Sequence, residues 1–205
     1  PVVAPSANLS KHVSPTSAKH VLDDFDGKIP LILDGGECSG GIESTVCDVT
    51  GEYPVVLRPG LVTREMIAKA AGRCEASAET VRPGERAKSP GMMYKHYSPR
   101  CRTMLFPVGD RAGAEAAYER EKAAGSRAFL MGEEKLAKAW NARGMSAFSL
   151  GNTPGEMAAR LYGLLREAER RADVLIAVEP AGDGGVMTGV KNRLKKACAS
   201  EDIPH

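Results

Sequence analysis

The sequence lacks a long hydrophobic run, and no segment approaches the roughly 20 apolar residues needed to span a bilayer. It also lacks an initiator Met and a basic leader, so a secretory signal peptide is not indicated. Neither charge sign dominates, since 28 Lys and Arg residues face 26 Asp and Glu residues. We therefore expect a globular protein with no membrane partner, and 205 residues suit one large or two small domains.

Cysteine and histidine do not occur in the spacings that metal sites or disulfide frameworks use. The five cysteines are odd in number and widely spaced, and no C-x-x-C is present. The four histidines form no H-E-x-x-H or comparable pattern. We therefore expect neither a zinc site nor a disulfide framework, and a reducing, cytoplasmic location fits this usage.

The first ten residues join an apolar run to a loop of small polar residues. Residues 1–4 predict a buried strand, and residues 5–10 predict a loop that brings hydroxyls, an amide and backbone N–H groups towards an anion. An ordinary strand-to-helix turn is the alternative. Because the chain begins inside an apparent core strand, we also expect that upstream residues of the natural protein are missing.

We call the chain before Cys101 the first part and the chain from Cys101 onwards the second part. Short strands and two helices are predicted for the rest of the first part. The helices cover residues 18–25 and 63–71, and the strands cover residues 30–34, 42–49 and 53–58. His20 is expected to be a partly exposed helix residue. Arg58 ends the last of these strands, where it either forms a surface ion pair or offers its planar guanidinium to a phosphate.

From Cys101 onwards, strands and helices alternate. The predicted strands cover residues 102–106, 126–131, 146–150 and 174–178, and the helices cover residues 112–124, 133–143, 153 onwards and 186–199. The third helix begins with a capping box at residues 153–156. This alternation predicts a parallel sheet covered by helices, Rossmann-like in outline.

Two features of this second part allow a functional and a structural interpretation. Residues 182–185 are glycine-rich and precede a helix, but they lack the G-K-[ST] ending of a phosphate-binding P-loop. The last helix carries four basic residues, Lys191, Arg193, Lys195 and Lys196. They form either a nucleic-acid patch or a solvated face, and the balanced charge favours the solvated face.

Several segments match one set of known motifs. Residues 6–10 and 14–16 resemble the S-A-N-x-S-G-x-x-S-P-T signature of the YrdC-like fold, and residues 41–49 and 57–60 resemble its G-I-E-S-T-V-x-D and L-R-P-G motifs. Residues 89–99 resemble the S-P-G-M-x-Y-x-H-Y-x-P linker of the long, two-domain threonylcarbamoyl-AMP synthases. The end of the chain, residues 192–197, resembles their last helix.

This resemblance implies an α/β fold in three parts. Residues 1–82 would be the C-terminal portion of a YrdC-like catalytic domain whose N-terminal portion is absent. Residues 83–100 would be a linker that folds over the active site. Residues 101–205 would be a small Rossmann-like domain with a parallel sheet.

The resemblance also implies an activity. Such enzymes make L-threonylcarbamoyl-adenylate and pyrophosphate from L-threonine, bicarbonate and ATP. A downstream threonylcarbamoyl-transferase complex then modifies adenosine 37 of tRNA. The implied ATP-binding residues are Ser6, Asn8, Ser14, Arg58, His96, Tyr97 and Ser98. Ala4 and Ser44 would bind L-threonine, no catalytic side chain is implied, and Mg²⁺ is expected to accompany ATP without protein ligands.

The sequence departs from the family pattern at several points. Lys11 stands where the family usually has Gly, Met93 where a basic residue is common, and Ser98 where Ala is common. The K-x-R motif of the family's first domain and the rest of that domain's N-terminal half are not present, so we expect this chain alone to be inactive. Two other functions remain open: an RNA-binding YrdC-like module, and a carbamoyltransferase of hydrogenase maturation.

Overall fold

Two β-sheets and six helices make up the described part of the chain. The structure is a computed structural model, and it describes residues 1, 3–10, 12–77 and 98–198. In chain order the elements are α1 (Ala18–Phe25), β1 (Val46–Asp48), β2 (Val55–Arg58), α2 (Arg64–Ala71), β3 (Glu75–Ala76), β4 (Arg102–Phe106), α3 (Arg111–Ala123), β5 (Ala128–Gly132), α4 (Glu134–Ala142), β6 (Ala147–Ser149), α5 (Pro154–Arg171), β7 (Val174–Val178) and α6 (Gly185–Cys198). No helix within these ranges is long and apolar enough to cross a membrane.

The first sheet has the strand order β1-β2-β3. β1 runs antiparallel to β2, with an irregular register between Val46 and Cys47, and β3 runs parallel to β2. The strands predicted over residues 42–49 and 53–58 are therefore confirmed, although the observed strands β1 and β2 are shorter than predicted.

Two predicted strands are wrong. Of the strand predicted over residues 1–4, the described residues 1, 3 and 4 form no strand, and neither do residues 30–34; Val3, Leu31 and Leu33 are 98%, 70% and 84% exposed. A strand must pair its backbone N–H and C=O groups with a neighbour, and neither segment has a neighbouring strand in the described part of the chain. An apolar sequence alone therefore did not produce a strand at either position.

The second sheet is parallel throughout and has the strand order β4-β7-β5-β6. β7 is central and is buried at all five positions, as expected of a parallel strand covered on both faces. One apolar cluster includes Leu161 and Leu194 of α5 and α6, and a second includes Tyr118 and Trp140 of α3 and α4. The predicted Rossmann-like alternation is confirmed.

Helix α5 begins at the predicted capping box and joins the two parts of the molecule. The Thr153 hydroxyl accepts a hydrogen bond from the Glu156 backbone, and the Glu156 carboxylate accepts one from the Thr153 backbone. From the first part, fully buried Val13 belongs to the same core cluster as Leu161 and Leu165, and Ile42 packs against that cluster. The two parts therefore share one hydrophobic core.

Candidate functional site

The loop around Asn8 is held by the side chain of that residue. The Asn8 amide donates hydrogen bonds to the carbonyl oxygens of Leu9 and His12, at 2.8 and 3.1 Å. The Asn8 backbone N–H also donates to the Ser6 carbonyl at 3.0 Å. Asn8 thus shapes the loop, which agrees with the structural side of its predicted role, while nucleotide binding by Asn8 stays a prediction.

Two of the predicted ATP-binding serines line one cavity of about 220 Å³, which we call the serine cavity. Its walls are Ser6, Ala7, Ser14, Pro15, Thr16, Cys38, Gly41, Ile42, Glu43 and Tyr162. Ser14 is 8% exposed, and its hydroxyl donates a hydrogen bond of 2.7 Å to Oε1 of Glu43. Ser14 and Gly41 are 27 residues apart in the sequence. The motif at residues 14–16 and the motif at residues 41–49 therefore meet at this cavity.

Arg58 lies at the end of β2 and is held by Ser44. Its Nε and Nη2 donate to the Ser44 carbonyl oxygen at 3.1 and 3.0 Å. Arg58 lines a second cavity of about 210 Å³, the arginine cavity, together with Arg64, Gly184, Thr188, Asn192 and Lys196. The glycine-rich residues before α6 thus face the Leu-Arg-Pro-Gly turn, a relationship that the sequence did not suggest.

The structure brings some of the predicted site residues together and leaves others apart. Ser6 and Ser14 share the serine cavity, while Arg58 lines the arginine cavity. The adjacent residues Glu43 and Ser44 connect the two, because Glu43 lines the first cavity and the Ser44 carbonyl holds Arg58. Ala4 is exposed and lines neither cavity.

The linker residues are only partly described. Ser98 is half-buried, whereas His96 and Tyr97 lie outside the described residues. Their predicted contact with the nucleotide therefore stays a prediction.

Glu43 is the functional candidate that sequence reasoning missed. Its Oε2 accepts hydrogen bonds from the Tyr162 hydroxyl at 2.7 Å and from Nε of Arg193 at 2.8 Å, while Oε1 accepts from Ser14. Burial alone would raise the pKa of Glu43, but the Arg193 charge and the three hydrogen bonds outweigh it, so the pKa lies below its ordinary value. The carboxylate is therefore ionised at neutral pH.

A second polar cluster joins helices α1 and α5. Arg166 donates to Asp24 at 2.8 Å and also to the carbonyl oxygens of Val13 and His20. Both ring nitrogens of His12 contact carboxylates, Nδ1 that of Asp24 at 3.0 Å and Nε2 that of Glu169 at 2.7 Å. His12 therefore bridges the carboxylates of Asp24 and Glu169.

Glycines let the two parts approach closely. A side chain at Gly41 would collide with the carbonyl groups of Ala158 and Ala159 in α5. One at Gly60 would lie 2.6 Å from the Thr45 backbone nitrogen, and one at Gly189 would lie 3.0 Å from the side chain of Ile42. Gly41 is therefore a packing requirement of the interface between the two parts, whereas Gly60 is one within the first part, where its neighbours are Glu43 and Thr45.

The basic residues of α6 do not form a free positive surface. Arg193 is fully buried against Glu43. Lys191 pairs with Asp183 at 2.8 Å, and Lys195 pairs with Glu179 at 3.2 Å. The expected solvated face is thus wrong for Arg193, and the RNA-binding alternative finds no support in this helix.

Family models match nearly the whole chain. The model described as "Threonylcarbamoyl-AMP synthase, C-terminal domain" matches residues 62–199. A second model, described as "Telomere recombination", matches residues 1–60.

Curated relatives cover the same range. A threonylcarbamoyl-AMP synthase of Pyrococcus abyssi is 38% identical over 201 residues, which is 96% of this chain and 57% of the relative. The Bacillus subtilis enzyme of that name is 35% identical over 204 residues, 99% of this chain and 58% of the relative. The Schizosaccharomyces pombe enzyme is 33% identical over 215 residues, 97% of this chain and 52% of the relative. The chain thus spans little more than half the length of these relatives.

A solved structure agrees with these matches. The crystal structure of Pyrococcus abyssi Sua5 complexed with L-threonine superposes with a TM-score of 0.80 at 37% identity, over 95% of this chain and 57% of that chain. Since the C-terminal domain model alone matches most of the sequence, the chain belongs to the threonylcarbamoyl-AMP synthase family.

Proposed function

We propose that this chain contributes to the synthesis of L-threonylcarbamoyl-adenylate and pyrophosphate from L-threonine, bicarbonate and ATP. The observation that carries the proposal is that Ser6 and Ser14 of the first motif line one cavity with residues 41–43 of the second. Support for threonine as the substrate comes from the Pyrococcus abyssi relative, whose structure was determined as its L-threonine complex.

The proposed reaction needs positioning groups more than acids or bases. The threonine nitrogen captures bicarbonate or carbon dioxide as a carbamate, whose oxygen attacks the α-phosphorus of ATP while pyrophosphate leaves. Negative charge then develops on phosphate oxygens, where hydroxyl and guanidinium donors stabilise it. Ser6, Ser14 and Arg58 would supply such donors on the ATP side, and Ala4 and Ser44 would hold threonine.

Mg²⁺ would enter this site together with ATP. Among the described residues no group of three or more His, Cys, Asp or Glu side chains could hold a metal ion. The ion would therefore be bound chiefly by the phosphates and water, as is usual for Mg²⁺ with nucleotides.

The product would serve tRNA modification. Threonylcarbamoyl-adenylate is a mixed anhydride, so a downstream transferase complex would pass its acyl group to adenosine 37 of tRNA. The cysteines within the described ranges are unpaired, which fits a cytoplasmic setting.

Pyrophosphate release tests the proposal. We expect release that depends on both threonine and bicarbonate from the Pyrococcus abyssi relative, and none from this chain alone, which covers 57% of that relative. The matched control is that relative cut to the 57% of its length that this chain covers. A fusion protein joins this chain to the segment of the relative that this chain does not cover. If this fusion releases no pyrophosphate while the intact relative does, the proposal fails.

A further inference from the structure

Glu43 sits between the two parts of the molecule, and its two oxygens face different partners. Oε1 accepts from Ser14, which belongs to the proposed nucleotide loop. Oε2 accepts from Tyr162 of α5 and Arg193 of α6, whose residues are 1% and 0% exposed. Rigid, buried donors from the second part therefore fix the orientation of this carboxylate.

Ser14 has only one hydrogen to give. A serine hydroxyl donates once and accepts through its lone pairs, and here the donated bond goes to Glu43. To donate to a phosphate oxygen, Ser14 must turn this hydrogen away from Glu43. An ionised carboxylate releases a donor more readily when other donors continue to satisfy it.

Tyr162 and Arg193 supply these other donors. When Ser14 turns towards the serine cavity, Glu43 keeps the Tyr162 hydroxyl and the Arg193 guanidinium, so its charge stays compensated. Without them, Glu43 would be a buried carboxylate that competes with a phosphate for the Ser14 hydrogen and repels the phosphate.

We propose that Glu43 is a positioning residue through which Tyr162 and Arg193 of the second part make the Ser14 hydroxyl available to a phosphate group. The substrate class is a nucleoside triphosphate, so this inference rests on the function proposed above. It assigns the second part of the molecule a role in the site, through the donors that Tyr162 and Arg193 give to Glu43.

The experiment is a double-mutant cycle in the full 205-residue chain. Tyr162→Phe removes one donor to Glu43 and keeps the ring, Ser14→Ala removes the hydroxyl, and a third variant carries both changes. The control is Tyr118→Phe, which removes a buried hydroxyl of the same part that accepts a bond from the Ser146 backbone at 3.0 Å, away from Glu43. Titrations with Mg·ATP give the affinity, and amide hydrogen exchange reports the opening of residues 12–16 and 41–45.

If Tyr162 acts through Ser14, Tyr162→Phe weakens ATP binding in the wild-type background but has no further effect in Ser14→Ala. A merely structural effect would instead be additive. We also expect exchange at residues 12–16 and 41–45 to accelerate roughly 3- to 10-fold in Tyr162→Phe, the range of one lost hydrogen bond, and not in Tyr118→Phe.

The two readouts separate this inference from the proposed function. If the wild-type chain binds no ATP while exchange accelerates as expected, the proposed function loses its support but the link from Tyr162 through Glu43 stands. Additive effects on ATP binding, or equal exchange in Tyr162→Phe and Tyr118→Phe, overturn the inference.

Discussion

Arg166 of α5 and Asp24 of α1 form a buried ion pair, with Nη2 and Oδ2 2.8 Å apart and both side chains at most 3% exposed. The pair joins residues 142 positions apart in the sequence. Arg166 also donates to two backbone carbonyl groups of the first part. This single guanidinium therefore satisfies several buried acceptors at the interface between the two parts.

Breaking this pair on one side should destabilise the fold strongly. Asp24→Asn leaves the Arg166 charge buried without its counter-ion, and we expect a loss of about 3–5 kcal/mol in the free energy of unfolding. Denaturant unfolding measures the loss. The neighbouring pair Asp23–Arg170 links the same two helices, but its side chains are 40% and 47% exposed. Asp23→Asn should therefore cost less than about 1 kcal/mol, and equal losses in both variants would contradict this account.

Acid should weaken the same interface. Burial opposes ionisation of Asp24, but the Arg166 and Leu9 hydrogen bonds outweigh it and lower the pKa of Asp24 from 3.8 to about 2. Because the folded-state pKa is the lower one, the unfolded chain binds the proton more readily, so this stabilisation is present above pH 3.8 and is lost as the pH falls towards 2.

Denaturant unfolding at a series of pH values measures this contribution. We expect the difference in unfolding free energy between wild type and Asp24→Asn to be constant near neutral pH and to shrink on the order of 1 kcal/mol by about pH 3. A difference that does not change between about pH 6 and about pH 3 would show that Asp24 titrates normally.

The second part could be predicted well because its signals are local. Its strands are apolar runs bounded by turn residues, and its helices carry periodic apolar faces, so the predicted β4 and β7 match the structure residue for residue. The capping box at Thr153 and Glu156 lies within four residues and needs no tertiary contact to be recognised.

The polar interface could not be predicted in the same way. Glu43, Arg166 and Arg193 are charged, and sequence reasoning places such residues on the surface unless a partner is known. Their partners in the other part of the molecule lie more than 100 residues away. His20 was expected to be partly exposed, but it is 7% exposed, and burial followed by the Arg166 charge lowers its pKa.

Gly60 of the Leu-Arg-Pro-Gly motif packs closely against neighbouring backbone. Gly60→Ala would place a Cβ 2.6 Å from one backbone atom and 2.7 Å from another, and backbone cannot move aside as a flexible side chain can. We expect a loss of about 1–3 kcal/mol in unfolding free energy. At Gly155, near the start of α5, an added Cβ would meet nothing within 4 Å, so Gly155→Ala should be neutral or stabilise by up to about 1 kcal/mol. Thermal unfolding of both variants measures these differences. A Gly60→Ala protein as stable as the wild type would contradict the expected collision.

The planar guanidinium of Arg58 is held in one orientation by the Ser44 carbonyl. Its Nε and Nη2 share the Ser44 carbonyl, an arrangement that a lysine ammonium cannot reproduce. Arg58→Lys keeps the charge but loses this fixed orientation, and we expect Mg·ATP affinity to fall about tenfold, or ~1.4 kcal/mol. Arg64 lines the same arginine cavity and pairs with the adjacent Glu65 on the surface. Arg64→Lys should therefore leave the affinity within about twofold. Equal affinities of the two variants would mean that charge alone, and not the orientation set by Ser44, matters at this cavity.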